Sequence, residues 1–379
     1  MAYRMTGARF IAESLGGYGV THVFFVEAIL RRTLMEMETL GIRRILTHSE
    51  KAAAYMADGY ARAARRPGVC MAQSVGAANL ASGLQEPFLG RAPVVALTGR
   101  AALVAQQRNA YQAVQPAPLY AAVTKSSASV TTPDQLPRLL RQAFRDATTG
   151  APGPAHLDLL GHQGQVIETP DLELKLAPEP AFARIPAYRP TPEPEAVRKV
   201  ARAILDAERP VIVAGGGVTA SGAGPEVVAL AERLQTPVAT SLNGKATLLE
   251  THPLNVGVVG RYSRWCANRV VSEADLVFYV GSSTGELVTN GWTVPAPDTP
   301  VIQIDIDPAE LGRSYPNVEG LCGDAKATLQ MLLAELPARA ASAWTERARE
   351  HVAAWRKALE PLRASDAAPI RPERLCREV

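Results

Sequence analysis

The stretch APVVALTG, residues 92–99, is almost continuously apolar, so a strand built from it has no polar face to offer water. Such a strand belongs in a parallel sheet covered by helices on both sides. The preceding segments agree. GARFIAESLGGYG reads as a helix ended by glycine, VTHVFFV as a short apolar strand, ILRRTLMEMETLG as a helix and IRRIL as a strand. A helix opening near Glu50, the strand GVCMAQS and the helix ANLASGLQEPFLG follow. The helix PDQLPRLLRQAFRDATT and the strand PAHLDLL, residues 154–160, close the run. Strands and helices alternating through short glycine-bearing turns predict an α/β fold with a doubly wound parallel sheet.

A chain of 379 residues exceeds one ordinary core, and two such domains are expected. The first spans 1–168. Residues 169–194 carry seven prolines and little periodicity, which predicts an extended linker packed over the surface. A second alternating unit of Rossmann-like build occupies 195–336, and 337–379 reads as a C-terminal helix and tail. The glycine cluster AGGGVTASGAG follows the first strand of this unit. Its spacing is not a clean G-x-G-x-x-G, and no acidic residue stands at the next strand end. A tight strand-to-helix turn and a cofactor contact both remain open there.

Composition excludes several classes of function. The 40 basic and 37 acidic residues are spread along the chain and form no nucleic-acid footprint. No run approaches the ~20 apolar residues of a membrane helix. Cys70, Cys266, Cys322 and Cys376 lie too far apart for a zinc site or a disulfide framework. The expectation is a soluble, cytoplasmic protein that acts on small molecules, with no nucleic-acid or membrane partner.

The segment THSEKAAAYMADGYARAARR, residues 47–66, sets a carboxylate at the mouth of an alanine-rich helix. Thr47 and Glu50 have the T-x-x-E spacing of a capping box, in which the hydroxyl takes a helix N–H and the carboxylate reaches back. That reading alone accounts for Glu50.

Several motifs in order widen it. GARFIAESL, GVTHVFF, HSEKAAAYMADGYARA, SVGAANLASGL, APVVALTG, YQAV, VTKSS and GAPGPAHLDL resemble the pyrimidine-binding domain of thiamine-diphosphate enzymes, most of all the acetolactate (acetohydroxyacid) synthase branch. RPVIVAGGGVTASGA, PVATSLNGKATLLETHPLNVGVVG, ADLVFYVGS and VIQIDIDPAELG resemble the central domain of the same enzymes. The resemblance implies that Glu50 hydrogen-bonds N1′ of the cofactor's aminopyrimidine and promotes formation of the thiazolium ylide, the cofactor being the electron sink. A carboxylate is needed there because it must exchange a proton with a ring nitrogen. By the same resemblance Gly76 and Asn79 shape the cofactor edge, with Val75 in place of a proline. Tyr111 and Gln112 line the substrate side, and Lys125 matches a lysine near the reaction cavity. His48 and Ser49 replace the usual Arg-His.

Three departures bear on mechanism. FFVEAIL stands where relatives have a Gly-x-Pro-Gly loop, so Phe25, Glu27 and Ala28 remodel the pocket wall or displace the loop, and Glu27 is a candidate cofactor contact. Ala151, Ser282 and Ser283 stand where the branch has flavin-binding arginines, so FAD is not expected. The third concerns Mg2+, which in the family joins the diphosphate to a Gly-Asp-Gly motif and an asparagine in a further domain. The Gly-Asp pair here, Gly323-Asp324, has no such asparagine after it, so no metal ligands are expected in this chain. The resemblance therefore implies the pyrimidine-binding and central-domain subunit of a split, heteromeric carboligase or lyase. A separately encoded diphosphate-binding subunit would hold thiamine diphosphate and Mg2+. Homodimeric pairing through the pyrimidine domain, within a heterotetramer or larger, is expected. A 2-oxo acid decarboxylase subunit, a 2-hydroxyacyl-CoA lyase subunit and a non-catalytic regulatory or scaffold subunit are the alternatives.

Overall fold

Two parallel sheets form where strand and helix alternate, each of six strands. This computed structural model describes residues 3–27 and 29–379 and separates them into two units, one ending at Tyr188 and one beginning at Arg189. The first unit runs β1 (Tyr3–Thr6), α1 (Gly7–Gly17), β2 (His22–Phe25), α2 (Arg31–Thr39), β3 (Arg43–Leu46) and α3 (Glu50–Ala64). It continues with β4 (Gly68–Ala72), α4 (Gly76–Leu89), β5 (Val94–Arg100), a short α5 (Ala117–Tyr120), β6 (Ser126–Val130), α6 (Leu136–Thr148) and β7 (Pro154–Leu160).

The strand order is β3-β2-β4-β5-β7-β6. The chain winds outward from β2 to β3 and then crosses back to β4, so the winding reverses between β2 and β4. Open α/β sheets receive ligands at such a reversal, outside the carboxyl ends of the strands. Helices α3 and α4 both begin at that edge. One face of the sheet buries large side chains such as Phe10, Leu15, Met37 and Phe144. The other buries Ala53, Ala54, Ala57, Ala77 and Leu80, a layer of much smaller groups. Val94 and Val95 of β5 are fully buried, as a strand without a polar face requires.

The proline-rich stretch divides between the units. After α7 (Gln165–Glu168), β8 (Asp171–Leu174) pairs antiparallel with β1, and Phe182, Ile185 and Ala187 are buried in the first unit. Hydrogen bonds from Arg145 and Arg141 hold the Glu179 carboxyl down at about 2. From Arg189 onward the chain belongs to the second unit.

There α8 (Pro194–Asp206), β9 (Pro210–Ala214), α9 (Gly216–Ser221), α10 (Gly224–Leu234), β10 (Val238–Thr240), β11 (Asn255–Val258) and α11 (Trp265–Glu273) come first. They are followed by β12 (Leu276–Val280), β13 (Val301–Asp305), β14 (Asn317–Cys322), α12 (Ala325–Glu335), α13 (Ala343–Arg363) and α14 (Pro372–Glu378). The order is β11-β10-β9-β12-β13-β14, with the reversal between β9 and β12. The glycine cluster lies at this reversal and turns the chain tightly from β9 into α9. Gly215 N–H donates to the Val280 carbonyl at 2.8 Å, and Gly217 N–H to that of Gly281 at 2.9 Å. A Cβ on Gly217 would lie 2.7 Å from the Gly281 Cα, so the approach needs glycine. Part of the expected C-terminal tail is core: Trp344 of α13 is buried, and its Nε1 donates to the Pro210 carbonyl at 2.8 Å.

Among the described residues no helix is long and apolar enough to cross a membrane. In the large-residue layer of the first unit, Phe144 is fully buried and stacks on Tyr18 with ring centroids 3.9 Å apart. Phe144→Ala should cost about 3–5 kcal/mol by lost burial and cavity formation. Urea unfolding followed by circular dichroism checks this, and a loss below about 1 kcal/mol would contradict the packing described.

Candidate active site

The start of α3 is set by Ser49, not by Thr47. Ser49 is the N-cap, and its hydroxyl accepts from Ala52 N–H at 3.2 Å. Thr47 Oγ1 instead shares its one proton between the carbonyls of Ser49, at 2.8 Å, and Phe25, at 3.1 Å, and Thr47 N–H donates to the Phe25 carbonyl at 2.8 Å. The T-x-x-E capping box is therefore corrected: Thr47 ties the loop after β3 to the end of β2. Glu50 is the first residue of the helix, where the macrodipole favours negative charge.

The alanines of α3 permit close approach. Ala53, Ala54, Ala57 and Ala61 are fully buried. A Cβ on Gly83 of α4 would lie 2.7 Å from the Ala54 Cβ and 2.9 Å from the Lys51 carbonyl oxygen. One on Gly68 of β4 would overlap the Ala57 carbonyl. Only a smooth face lets α3 lie this near to both α4 and β4.

The consequence is felt at the first turns of the two helices. Gly76 opens α4 directly against the Glu50 side chain, and a Cβ there would lie 2.9 Å from both Cγ and Cδ of the glutamate. Asn79, one turn further along α4, donates from Nδ2 to Glu50 Oε2 at 3.2 Å. Among the described residues no donor meets Oε1. Glu50 is half-buried at the start of α3. Ser74, just before α4, donates to the backbone carbonyl of Gln112 at 2.9 Å and contacts its Oε1 at 3.3 Å. Gln112 has φ +55°, a left-handed conformation uncommon for a side chain of this kind. The structure thus joins Glu50, Gly76 and Asn79, and ties Gln112 to Ser74 just before the start of α4.

Other candidate residues are engaged elsewhere or exposed. Tyr111 is 79% exposed and meets the His162 ring edge-on, with centroids 6.3 Å apart. Lys125 Nζ donates to the carbonyls of Thr149 and Ala151 at 2.7 and 2.8 Å, at the end of α6. Glu27 is exposed and pairs with Arg31 at 2.7 Å. Phe25 is buried in the sheet, and Ala28 lies outside the described residues.

Sequence reasoning missed a polar stripe beneath α4. Thr98 and Arg100 of β5 and His156 and Asp158 of β7 run along one face of the sheet. Thr98 Oγ1 lies 2.7 Å from His156 Nε2 and donates to Asp158 Oδ1 at 3.3 Å. Asp158 also pairs with Arg100 at 3.1 Å. Burial pushes the Asp158 carboxyl up to about 6 and the His156 imidazole down to about 3. The available signal was a His and an Asp two positions apart in the otherwise apolar PAHLDLL, which set two polar groups on one face of a buried strand.

No group of three or more His, Cys, Asp or Glu among the described residues could hold a metal ion. Asp324 is committed to structure: it caps α12 by accepting from Ala327 N–H at 3.0 Å and pairs with Arg189 at 2.7 Å.

Comparison with known proteins identifies the family of both units. Residues 5–118 match the thiamine pyrophosphate enzyme N-terminal TPP binding domain, and residues 197–332 match the thiamine pyrophosphate enzyme central domain. A probable acetolactate synthase large subunit from Methanocaldococcus jannaschii is 36% identical over 99% of this chain and 63% of its own length. One from Methanococcus aeolicus is 34% identical over 88% of this chain and 57% of its own. The acetolactate synthase large subunit of Corynebacterium glutamicum is 33% identical over 87% and 52%. The chain therefore spans between 52% and 63% of the length of these relatives.

Gly76→Ala should displace the Glu50 side chain and lengthen the Asn79–Glu50 bond from 3.2 Å to beyond hydrogen-bonding distance. A crystal structure of the variant decides this, and an unmoved carboxylate would contradict the close packing.

Proposed function

This chain belongs to the thiamine pyrophosphate enzyme family, carrying its N-terminal and central domains, and we propose that it supplies the activating glutamate of a carboligase or lyase. Its substrates are 2-oxo acids or their 2-hydroxyacyl products. The observation that carries the reading is the Glu50 carboxylate, oriented through Oε2 by Asn79 and packed against Gly76, with no donor to Oε1 among the described residues. The residues fit an aminopyrimidine ring: Gly76 keeps the wall beside Glu50 free of a side chain, and Oε1 suits a ring nitrogen.

Thiamine diphosphate, when bound, supplies an electron sink for a carbon–carbon bond made or broken beside a carbonyl. Glu50 exchanges a proton at N1′ of the pyrimidine, which a carboxylate can do and an amide cannot. Asn79 fixes the carboxylate's plane. Gln112, held through Ser74, and Tyr111 lie toward the substrate, whereas Lys125 and Glu27 are committed to Thr149, Ala151 and Arg31. Names of similar proteins favour ligation of two 2-oxo acids over decarboxylation or acyl-CoA cleavage, and product analysis separates the three.

In this reading a diphosphate-binding domain outside these residues, carried by a partner subunit, holds Mg2+ and the diphosphate, since Asp324, in the one Gly-Asp pair of residues 1–379, is spent on the α12 cap and Arg189. Pairing of two copies through the first unit completes the assembly in this reading. Flavin has no part in it: Gly215 and Gly217 direct their N–H groups at Val280 and Gly281, and no arginine stands at Ala151, Ser282 or Ser283. The four free thiols suit the reducing cytoplasm to which we assign the protein.

Native mass spectrometry of protein purified from its source, with thiamine diphosphate and Mg2+ present, should show a heteromer whose second chain carries a Gly-Asp-Gly motif. A homo-oligomer that binds the cofactor tightly by itself would overturn the split assembly. In the active complex Glu50→Gln should lower turnover by about 100-fold or more, the scale of a lost acid–base group. Unchanged turnover would leave the chain a regulatory or scaffold role.

A further inference from the structure

The turn that holds Glu50 is poorly anchored by its own sequence. Helix α4 begins Gly-Ala-Ala, and its N-cap Val75 makes no side-chain cap bond. Such a start lacks the stabilisation that a Ser, Thr, Asp or Asn cap supplies. It nevertheless carries both Gly76, against which Glu50 packs, and Asn79, which orients it.

An anchor comes from the opposite side of the helix. Tyr120, at the end of α5, is fully buried, and its hydroxyl donates to the Ala77 carbonyl at 3.0 Å. The Tyr120 ring stacks on His156 with centroids 3.6 Å apart and planes 13° from parallel. The His156 ring is itself fixed at both nitrogens, by Ser127 Oγ at 2.8 Å on Nδ1 and by Thr98 Oγ1 at 2.7 Å on Nε2. With the Thr98 proton given to Asp158, Nε2–H donates to Thr98 and Nδ1 accepts from Ser127; the other tautomer reverses both bonds and keeps both tethers. A neutral imidazole with one donor and one acceptor satisfies the chain of bonds. Phenylalanine at 156 would keep the stack and lose both tethers.

We propose that Tyr120, held in plane by His156, is a positioning residue that fixes the first turn of α4 and, through Gly76 and Asn79, the Glu50 carboxylate. The inference rests on the catalytic reading of Glu50 for its effect on turnover, but its structural half stands on separate ground. A tyrosine that merely filled the core would work as well without its hydroxyl.

The test is Tyr120→Phe in the assembled, active complex, with His156→Phe as a second variant and Tyr60→Phe as a control. Tyr60 bonds Thr21 and touches neither Gly76 nor Asn79 by any described bond. Tyr120→Phe should speed amide hydrogen exchange in a peptide covering residues 74–84 and lower kcat, each about 3- to 30-fold, as one buried hydrogen bond allows. KM should change less than about twofold, since ground-state binding is untouched. His156→Phe should move the same peptide in the same direction, and Tyr60→Phe should move neither readout. Unchanged exchange and unchanged kcat in Tyr120→Phe would overturn the proposal. If Tyr120→Phe does not fold, the same two readouts in His156→Phe decide. Unchanged turnover in Glu50→Gln would instead overturn the catalytic reading, while hydrogen exchange would still judge the anchor.

Discussion

The close approach of α3 to α4 governs the first unit. Ala54 and Lys51 against Gly83 of α4 and Ala57 against Gly68 of β4 are contacts in which one more methyl group would force the elements apart, and a methyl on Gly76 would displace the Glu50 side chain. Interiors are packed too densely to absorb such a shift locally. The opening of α4 is therefore held to that of α3 within a fraction of an ångström, and Asn79 can reach Glu50 without a long or mobile side chain. Small residues, which contribute little burial each, here contribute geometry.

That geometry was legible in the sequence to different degrees. The strand Val94–Arg100 was plain because a continuous apolar run has few alternatives, and the alternation around it left one fold class. Glu50, Gly76, Asn79 and Gln112 came from ordered motifs, and the structure joins the first three and ties Gln112 to Ser74. The cap of α3 was misread because Thr47 and Ser49 are both competent caps. Contacts that spacing does not reveal decide between them: Thr47 is held by its N–H to the Phe25 carbonyl on the neighbouring strand, and its hydroxyl is taken up by the carbonyls of Ser49 and Phe25. Lys125 finds its acceptors 24 and 26 residues away, a distance at which sequence spacing says nothing of proximity.

The glycine cluster of the second unit illustrates the same limit. Glycines after a strand serve a phosphate contact or a tight turn equally well, and only the neighbouring strand distinguishes the two. Here the turn after β12 approaches so closely that Gly215 and Gly217 donate to Val280 and Gly281. A donor already bonded to a backbone carbonyl has lost its strongest reason to meet an anion. Gly215 and Gly217 serve the turn at the point where the sheet's winding reverses.

The separation of duties at the start of α3 carries the most weight for function. Were Thr47 and Glu50 the capping box that their spacing suggests, the carboxylate would have a structural purpose and its presence would say little about function. Ser49 supplies the cap instead, and Glu50 makes no bond that the helix needs. What surrounds Glu50 is nonetheless specific: a glycine that no other residue could replace without displacing it, and an amide that orients one of its oxygens. A half-exposed carboxylate returns little stability for such constraints. Constraint without a stabilising return supports the chemical role proposed for Glu50 over a purely structural one.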